Sequence, residues 1–392
     1  MKSQEVKIFS LPARTNRTVF GIFILFFSLS ILNQAVSGQT RASRFSRLGS
    51  LNGAYHSYGE LESELKQLAS ANPSIARLSS LGQSLEKRNI YALKISDHPG
   101  QRENEPKVAF LGCHHAREWI SVEVPLEIAN YLIRNYENDE RVKAIVNSSE
   151  IWIIPLVNPD GLDYSILNYR LWRKNRRLND NGSFGVDLNR NYSFCWGADD
   201  LGSSPLPSSE TYRGEQPFSE PETSAIRDLF FNVNFSAVIS YHSFSQTILY
   251  PWSYADLPAG QESLFQQLAS ELASLISQVN GRIYQTARSS SAYLTNGDFI
   301  DWVYGLFDIP ALTIELPPVD LQAGGFFNSE QDIQSIAAEN LPAALYLLDW
   351  AISTHNYQEG QLSPERKNQL EKSPGNNIKN KRVKLTGQEG SN

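Results

Sequence analysis

The sequence predicts an α/β fold: a single domain with a central mixed, mostly parallel, twisted sheet flanked by helices on both faces. Three observations lead there. Apolar runs of strand length recur along the chain. Amphipathic stretches of helical period separate them, as in chains that alternate strand and helix. A cluster of chemically loaded residues directly follows the run at 107–111, and ligands in open α/β sheets sit beyond the carboxyl ends of strands.

Residues 58–72 carry Leu61, Leu65 and Leu68 at helical spacing, the pattern of an amphipathic surface helix. Residues 75–81 and 89–95 read as strands joined by 82–88, and 107–111 as a third strand. A helix follows to about residue 136, and a second spans 139–147. The continuous apolar run 150–157, closed by Asn158-Pro159-Asp160-Gly161, reads as a buried strand ending in a turn. Residues 163–214 are rich in Asn, Gly, Ser, Arg and aromatics with little periodicity, too long for a mere connector. Beyond them come a strand at 237–241, a helix at 261–279 and a short strand at 282–286. A loop passing into a short helix covers 293–302, a strand 311–316, and a final helix 329–353.

The 392 residues suit one large α/β domain. Residues 1–38 read as a secretory signal peptide, with Lys2, Lys7, Arg14 and Arg17 at its head and small residues at Ala35-Val36-Ser37-Gly38. Its apolar core, Val19 to Leu32, is shorter than the roughly 20 residues a membrane span needs. The expected product is secreted, extracellular or periplasmic, with no stable membrane insertion, and monomeric. Losing four basic residues and Glu5 takes the formal charge from −7 to −10. That balance argues against nucleic acid, whose binding rests on Lys and Arg meeting phosphates. Residues 39–54 form a short linker, 55–356 the folded domain, and 357–392 a polar tail without the apolar side chains to order itself.

Cys113-His114-His115-Ala116-Arg117-Glu118-Trp119 packs imidazoles, a guanidinium and a carboxylate into one turn. His115 and Glu118, three apart, share a face if a helix starts there; His114 and Glu118, four apart, are the alternative pair. Imidazole nitrogen and carboxylate oxygen suit Zn²⁺, which would need a third ligand and keep a position for water. The competing reading is a helix N-terminus with Glu118 favourable to its dipole. His242, ending the strand at 237–241, is the natural third ligand. Glu315 interrupts an apolar strand, where a carboxylate is rarely buried without a role; general base is the candidate. The arginines of 163–214 have the fork that grips carboxylates, or else pair with surface acids.

Together His115-Ala116-Arg117-Glu118-Trp119, Arg170-Leu171-Trp172-Arg173-Lys174, Asn189-Arg190-Asn191, Ser240-Tyr241-His242-Ser243 and Thr313-Ile314-Glu315-Leu316 resemble, in order, the zinc carboxypeptidases of the carboxypeptidase A/B type. The resemblance covers about residues 55–354. It implies one Zn²⁺ per chain on His115, Glu118 and His242, with His114 outside the ligand set, and Glu315 as general base. It implies Arg173 as the oxyanion stabiliser and Asn189 and Arg190 as binders of the substrate's terminal carboxylate. Tyr293 matches the tyrosine that closes over substrate, Arg117 and Arg170 auxiliary subsite contacts, and Asp187 an acid orienting a ligand histidine. Ile300 matches the pocket position that is apolar where aromatic or aliphatic ends are preferred. Leu249, Ser253, Thr295 and Thr313 would line the same pocket. Asp298 departs from the glycine of the animal enzymes and could hold a basic end, so hydrophobic and also basic termini are expected. The substrate is then the C-terminus of a peptide or protein; the alternative is a peptidoglycan-peptide or amide hydrolase on the same zinc fold. A non-catalytic binding module would have lost a ligand or the base, and here all are present. The large inhibitory prodomain of digestive relatives has no counterpart in residues 39–54. Cys113 and Cys195 flank the site in sequence, and secretion favours a disulfide between them over two free thiols.

Overall fold

A computed structural model describes residues 51–361, with side chains through residue 355. The predicted signal peptide (1–38), most of the linker and most of the tail lie outside the described residues. Eight strands form one mixed sheet: β1 (Ala76–Gln83), β2 (Asn89–Ile95), β3 (Lys107–Gly112), β4 (Glu150–Ile154), β5 (Ala237–Ser243), β6 (Thr247–Tyr250), β7 (Gln285–Arg288) and β8 (Ala311–Leu316). Their spatial order is β1-β2-β4-β3-β5-β8-β6-β7. The middle, β4-β3-β5-β8, is parallel throughout, while β2 and β6 flank it antiparallel.

The helices are α1 (Tyr58–Ala71), α2 (Ile120–Asn135), α3 (Glu140–Val146), α4 (Pro159–Leu167), α5 (Pro221–Asn232), α6 (Glu262–Asn280), α7 (Phe299–Phe307) and α8 (Ile333–Gln361). Side-chain alternation sends β3 into two cores at once. Val108 and Phe110 join the layer built by α2, α6 and α8. Ala109 and Leu111 join the layer built by α5 and α7. That double burial is why the middle strands are apolar at successive positions.

Several boundaries differ from the sequence reading for physical reasons. Residues 159–167 are helical although they open on a turn signature: Asn158 caps Gly161 N–H and Pro159 occupies the first turn, where a missing N–H costs nothing. α5 also starts on a proline, Pro221. β6 is only four residues long. Asn52, within the expected linker, is buried and donates to Glu60 Oε2 at 2.8 Å, so folded structure begins before residue 55. At the other end α8 continues to Gln361, into the expected tail.

β3 lies where the topology switches. From β3 the chain crosses to β4 on one side, then returns past β3 to β5 and β8 on the other. Such a switch opens a crevice at the carboxyl ends of the two central strands. β3 delivers the His115 turn there, and β5 carries His242 beside Glu315 of β8 in register.

Candidate active site

β3 ends at Gly112, where a Cβ would lie 2.0 Å from the Ser121 carbonyl oxygen, so only glycine fits. Cys113 follows at φ 54° and donates its N–H to Ser121 Oγ at 3.0 Å. A single backbone turn then carries Glu118 N–H to the His115 carbonyl (3.2 Å). His115 and Glu118 therefore share a side through this turn, ahead of α2, which starts only at Ile120. His242 reaches the same point from β5.

The three side chains converge closely. His115 Nδ1 lies 2.8 Å from Glu118 Oε1, and His242 Nδ1 lies 3.0 Å from Glu118 Oε2. The two Nδ1 atoms are 3.2 Å apart. On the far side of each ring, His115 Nε2 meets Asp187 Oδ1 at 3.2 Å and His242 Nε2 meets Ser240 Oγ at 3.1 Å. Each ring spends Nε2 on a protein partner and turns Nδ1 inward, the arrangement that orients metal-binding histidines. Two imidazole nitrogens and a carboxylate, all buried and mutually within 4.8 Å, make a donor set that fits Zn²⁺. His114 takes no part. It is buried, stacks on His242 at 5.5 Å and meets Tyr192 Oη at 2.9 Å. Ser240 was not foreseen, although its place two residues before His242 puts both on one face of β5.

Charges around the cluster are arranged in pairs. Asp187 is fully buried; its Oδ1 faces His115, and its Oδ2 accepts from Arg173 Nε and Nη2, both at 2.9 Å. Burial would raise its pKa, but Arg173 and His115 outweigh burial and hold the carboxyl well below its usual range. For Glu118 likewise, burial is outweighed by His115 and His242, and its pKa is lowered. Glu315 has no such partner. Burial, then the Glu118 carboxylate, pushes it up to about 8, and its Oε2 is shut from solvent without a hydrogen bond. A carboxylate left unpartnered in a cleft is poised for proton transfer.

Arg190 is buried, its Nε donating to Gly202 O (2.9 Å) and Nη1 to Asn189 O (2.7 Å). Tyr293 is 59 % exposed, yet after burial the groups acting on its hydroxyl are Arg190, Glu315, Arg173 and Glu118. Arg170 stacks 3.7 Å over Trp119 and donates to the Arg117 and Phe326 carbonyls. Arg117 lies 4.1 Å over Phe326. Both guanidiniums are committed to their own neighbours.

Asp298 caps α7, and its oxygens are in use: Oδ1 accepts from Ile300 N–H (3.0 Å) and Ser253 Oγ (3.4 Å), Oδ2 from Asn189 Nδ2 (3.0 Å). Asn189 Oδ1 in turn accepts from Phe299 N–H at 2.9 Å. Ile300, Leu249, Ser253, Thr295 and Thr313 are all buried nearby in sequence or register. The expected disulfide is absent: Cys113 and Cys195 are free thiols. Cys113 belongs to the core layer of α2 and α8, whereas Cys195 follows Tyr192 of the opposite layer and lies near Asp301. The sheet stands between those layers.

Residues 61–343 match the sequence model of the family described as zinc carboxypeptidase. The chain belongs to that family. A zinc carboxypeptidase of Saccharothrix mutabilis subsp. capreolus is 36% identical over 309 residues, covering 76% of this chain and 69% of the relative. Carboxypeptidase B of Astacus astacus is 32% identical over 311 residues, covering 77% and 99%. Among solved structures, carboxypeptidase A from Helicoverpa armigera superposes with a TM-score of 0.70 at 28% identity, covering 81% of this chain and 77% of that one. This zinc carboxypeptidase is accordingly a zinc-dependent hydrolase acting on peptide C-termini. Among the described residues no helix is long and apolar enough to cross a membrane.

Proposed function

We propose that this zinc carboxypeptidase is a secreted exopeptidase in which His115, Glu118 and His242 hold the zinc ion and Glu315 is the general base. When bound there, zinc polarises the scissile carbonyl and makes water acidic enough to lose a proton near neutrality. The observation that carries the reading is convergence: His115, Glu118 and His242 bring their donor atoms to one point, Glu315 lies in register with His242, and Asp187 ties Arg173 to His115.

Glu315 takes a proton from the attacking water at its unpartnered carboxylate oxygen and passes it to the leaving nitrogen. Arg173, fixed by Asp187, faces the oxygen on which negative charge develops, where a preorganised cation helps most. Arg190 binds the terminal carboxylate, which restricts cleavage to the last residue of a chain. Asn189 holds the α7 terminus and with it the pocket. Tyr293 covers the bound end. With both Asp298 oxygens engaged and Ile300 apolar, the pocket prefers hydrophobic ends and takes basic ends less well.

The test is hydrolysis of blocked dipeptides ending in Phe, Leu, Lys, Arg or Glu, with and without a zinc chelator, beside Glu315→Gln. We expect release of the terminal residue to be abolished by chelation and restored by zinc. Glu315→Gln should lose at least about 10²-fold in kcat while retaining one zinc. Zinc retained with no dipeptide cut by the wild type would sink the reading.

A further inference from the structure

Arg173 reaches the site from an irregular segment, so something must fix it. Its backbone is tied on one side by Ala116 N–H, which donates to the Arg173 carbonyl at 2.9 Å. Two residues on, Asn175 is fully buried, and every polar atom of its side chain is used. Oδ1 accepts from Val186 N–H at 2.8 Å and from Arg177 N–H at 3.3 Å. Nδ2 donates to Glu220 Oε2 at 2.7 Å and to Glu222 Oε2 at 3.3 Å. The Asn175 backbone N–H also donates to the Val186 carbonyl at 3.0 Å. One side chain thus links the Arg173 segment, the segment of Asp187 and the start of α5.

The packing leaves no slack. A Cβ on Gly185 (φ 91°) would lie 2.6 Å from Lys174 Cβ and 2.7 Å from the Asn175 carbonyl oxygen. Behind Asn175, Arg177 Nε bonds Glu220 at 2.6 Å. Glu222 is fully buried and its Oε1 is without a partner; burial pushes its pKa up to about 8, which lets it sit beside Glu220. None of these residues contacts the metal-binding cluster, so the catalytic reading leaves them unexplained.

We propose that Asn175 is a positioning residue for the reaction: it clamps the Arg173 segment to the Asp187 segment, with Glu220 and Glu222 holding the clamp from α5. The proposal rests on the reading of Arg173 as the group that faces the developing charge. A misplacement of about 1 Å at a catalytic group costs up to about 10²-fold in rate, so a released Arg173 should show in kcat.

The experiment is a double-mutant cycle on the full zinc-loaded chain, using Asn175→Ala, Arg173→Gln and both together. kcat and KM are read on a Phe-terminal blocked dipeptide, with zinc content and thermal unfolding alongside. Asn175→Ala should lower kcat about 10- to 100-fold, with KM within about twofold and one zinc retained. Arg173→Gln should lose about 10²- to 10³-fold, and the double variant should be no worse than Arg173→Gln alone. Should Asn175→Ala fail to fold, the smaller Asn175→Ser, whose hydroxyl cannot span from Val186 to Glu220, is read the same way. Wild-type kcat in the Asn175 variant overturns the proposal, as does a double variant as slow as the product of the two single losses. If Arg173→Gln itself keeps full activity, the reading of Arg173 fails first and the proposal with it.

Discussion

Asp187→Asn is the sharpest probe of the site, because it changes charge and hardly changes shape. Asn can still accept from His115 Nε2–H and from the Asn189 N–H, which both meet Oδ1. What it loses is the anion under Arg173, whose Nε and Nη2 both donate to Oδ2. An amide NH₂ placed there faces two donors, and the guanidinium is left buried without a counter-charge. Breaking a buried ion pair from one side costs about 3–5 kcal/mol. At about 2–4 °C per kcal/mol for a domain of this class, the melting point should fall by roughly 6–20 °C. Zinc affinity should drop about 10- to 100-fold, the usual penalty for mutating such a partner, because His115 keeps its hydrogen bond but loses the carboxylate charge that raises its basicity as a ligand. The pH dependence has a definite sign. Asp187 is held below its unfolded pKa of about 3.9, so its contribution is complete above that value and vanishes as pH falls through the folded one. The gap between wild type and variant should therefore be full at pH 7 and begin to narrow only below about pH 4. Chelator competition and thermal unfolding at pH 7 and pH 3.5 measure both effects. A variant melting with the wild type at pH 7, with unchanged zinc affinity, would refute the pairing argument.

Two further predictions follow from buried polar contacts away from the cluster. His56 lies between Glu123 (2.8 Å from Nδ1) and Glu64 (2.9 Å from Nε2); burial would lower its pKa, but these bonds raise it to about 10. A raised pKa stabilises fully below the unfolded value of about 6.5 and loses that effect as pH climbs through 10. His56→Ala should thus cost about 1.5–3 kcal/mol at pH 6 and little at pH 10.5, read by urea unfolding; an equal loss at both would exclude the charged contact. Asp298→Asn should leave the Phe-to-Arg preference within about threefold, since asparagine caps α7 nearly as well and the carboxylate oxygens already serve the protein. Hydrolysis of Arg ends falling about 100-fold, equivalent to about 2.7 kcal/mol, would instead make Asp298 the acceptor of basic side chains.

The parts of the molecule legible in the sequence are those governed by periodicity. β2 and the start of β3 stand where the pattern puts them, because each strand residue faces one of two apolar layers. The turn that carries the donors was legible too, but the residues alone left His114 and His115 as alternatives; only the resemblance to zinc carboxypeptidases singled out His115 with Glu118 and His242. α4 was not, because Asn158-Pro159-Asp160-Gly161 is equally a turn and a capped helix start; which one forms depends on tertiary packing of Leu162 and Ser165. The free thiols were hidden for a different reason. Closeness of Cys113 and Cys195 to the site along the chain says nothing about which face of the sheet each occupies. Asn175 and Ser240 were silent because they act through bonds to residues far away in sequence or of ordinary type.

Charge balance links the fold to the chemistry. Around the cluster stand the carboxylates of Glu118, Asp187 and Glu315 and the guanidinium of Arg173, while Arg190 and Asp298 act on each other slightly farther out. With all three carboxylates ionised, three anions face one cation, a net charge of −2 that one Zn²⁺ would balance; Arg117, which also acts on Glu118 and Asp187, is itself paired with Glu210. The same count accounts for the state of Glu315. Without a nearby dication, Glu118 pushes it up to about 8 and it would hold its proton at neutral pH. A divalent ion held by His115, Glu118 and His242 would reverse that repulsion and favour the ionised form that the proposed base role of Glu315 requires. On that reading metal binding and the competence of the base would be coupled, through β5 and β8 holding His242 and Glu315 side by side.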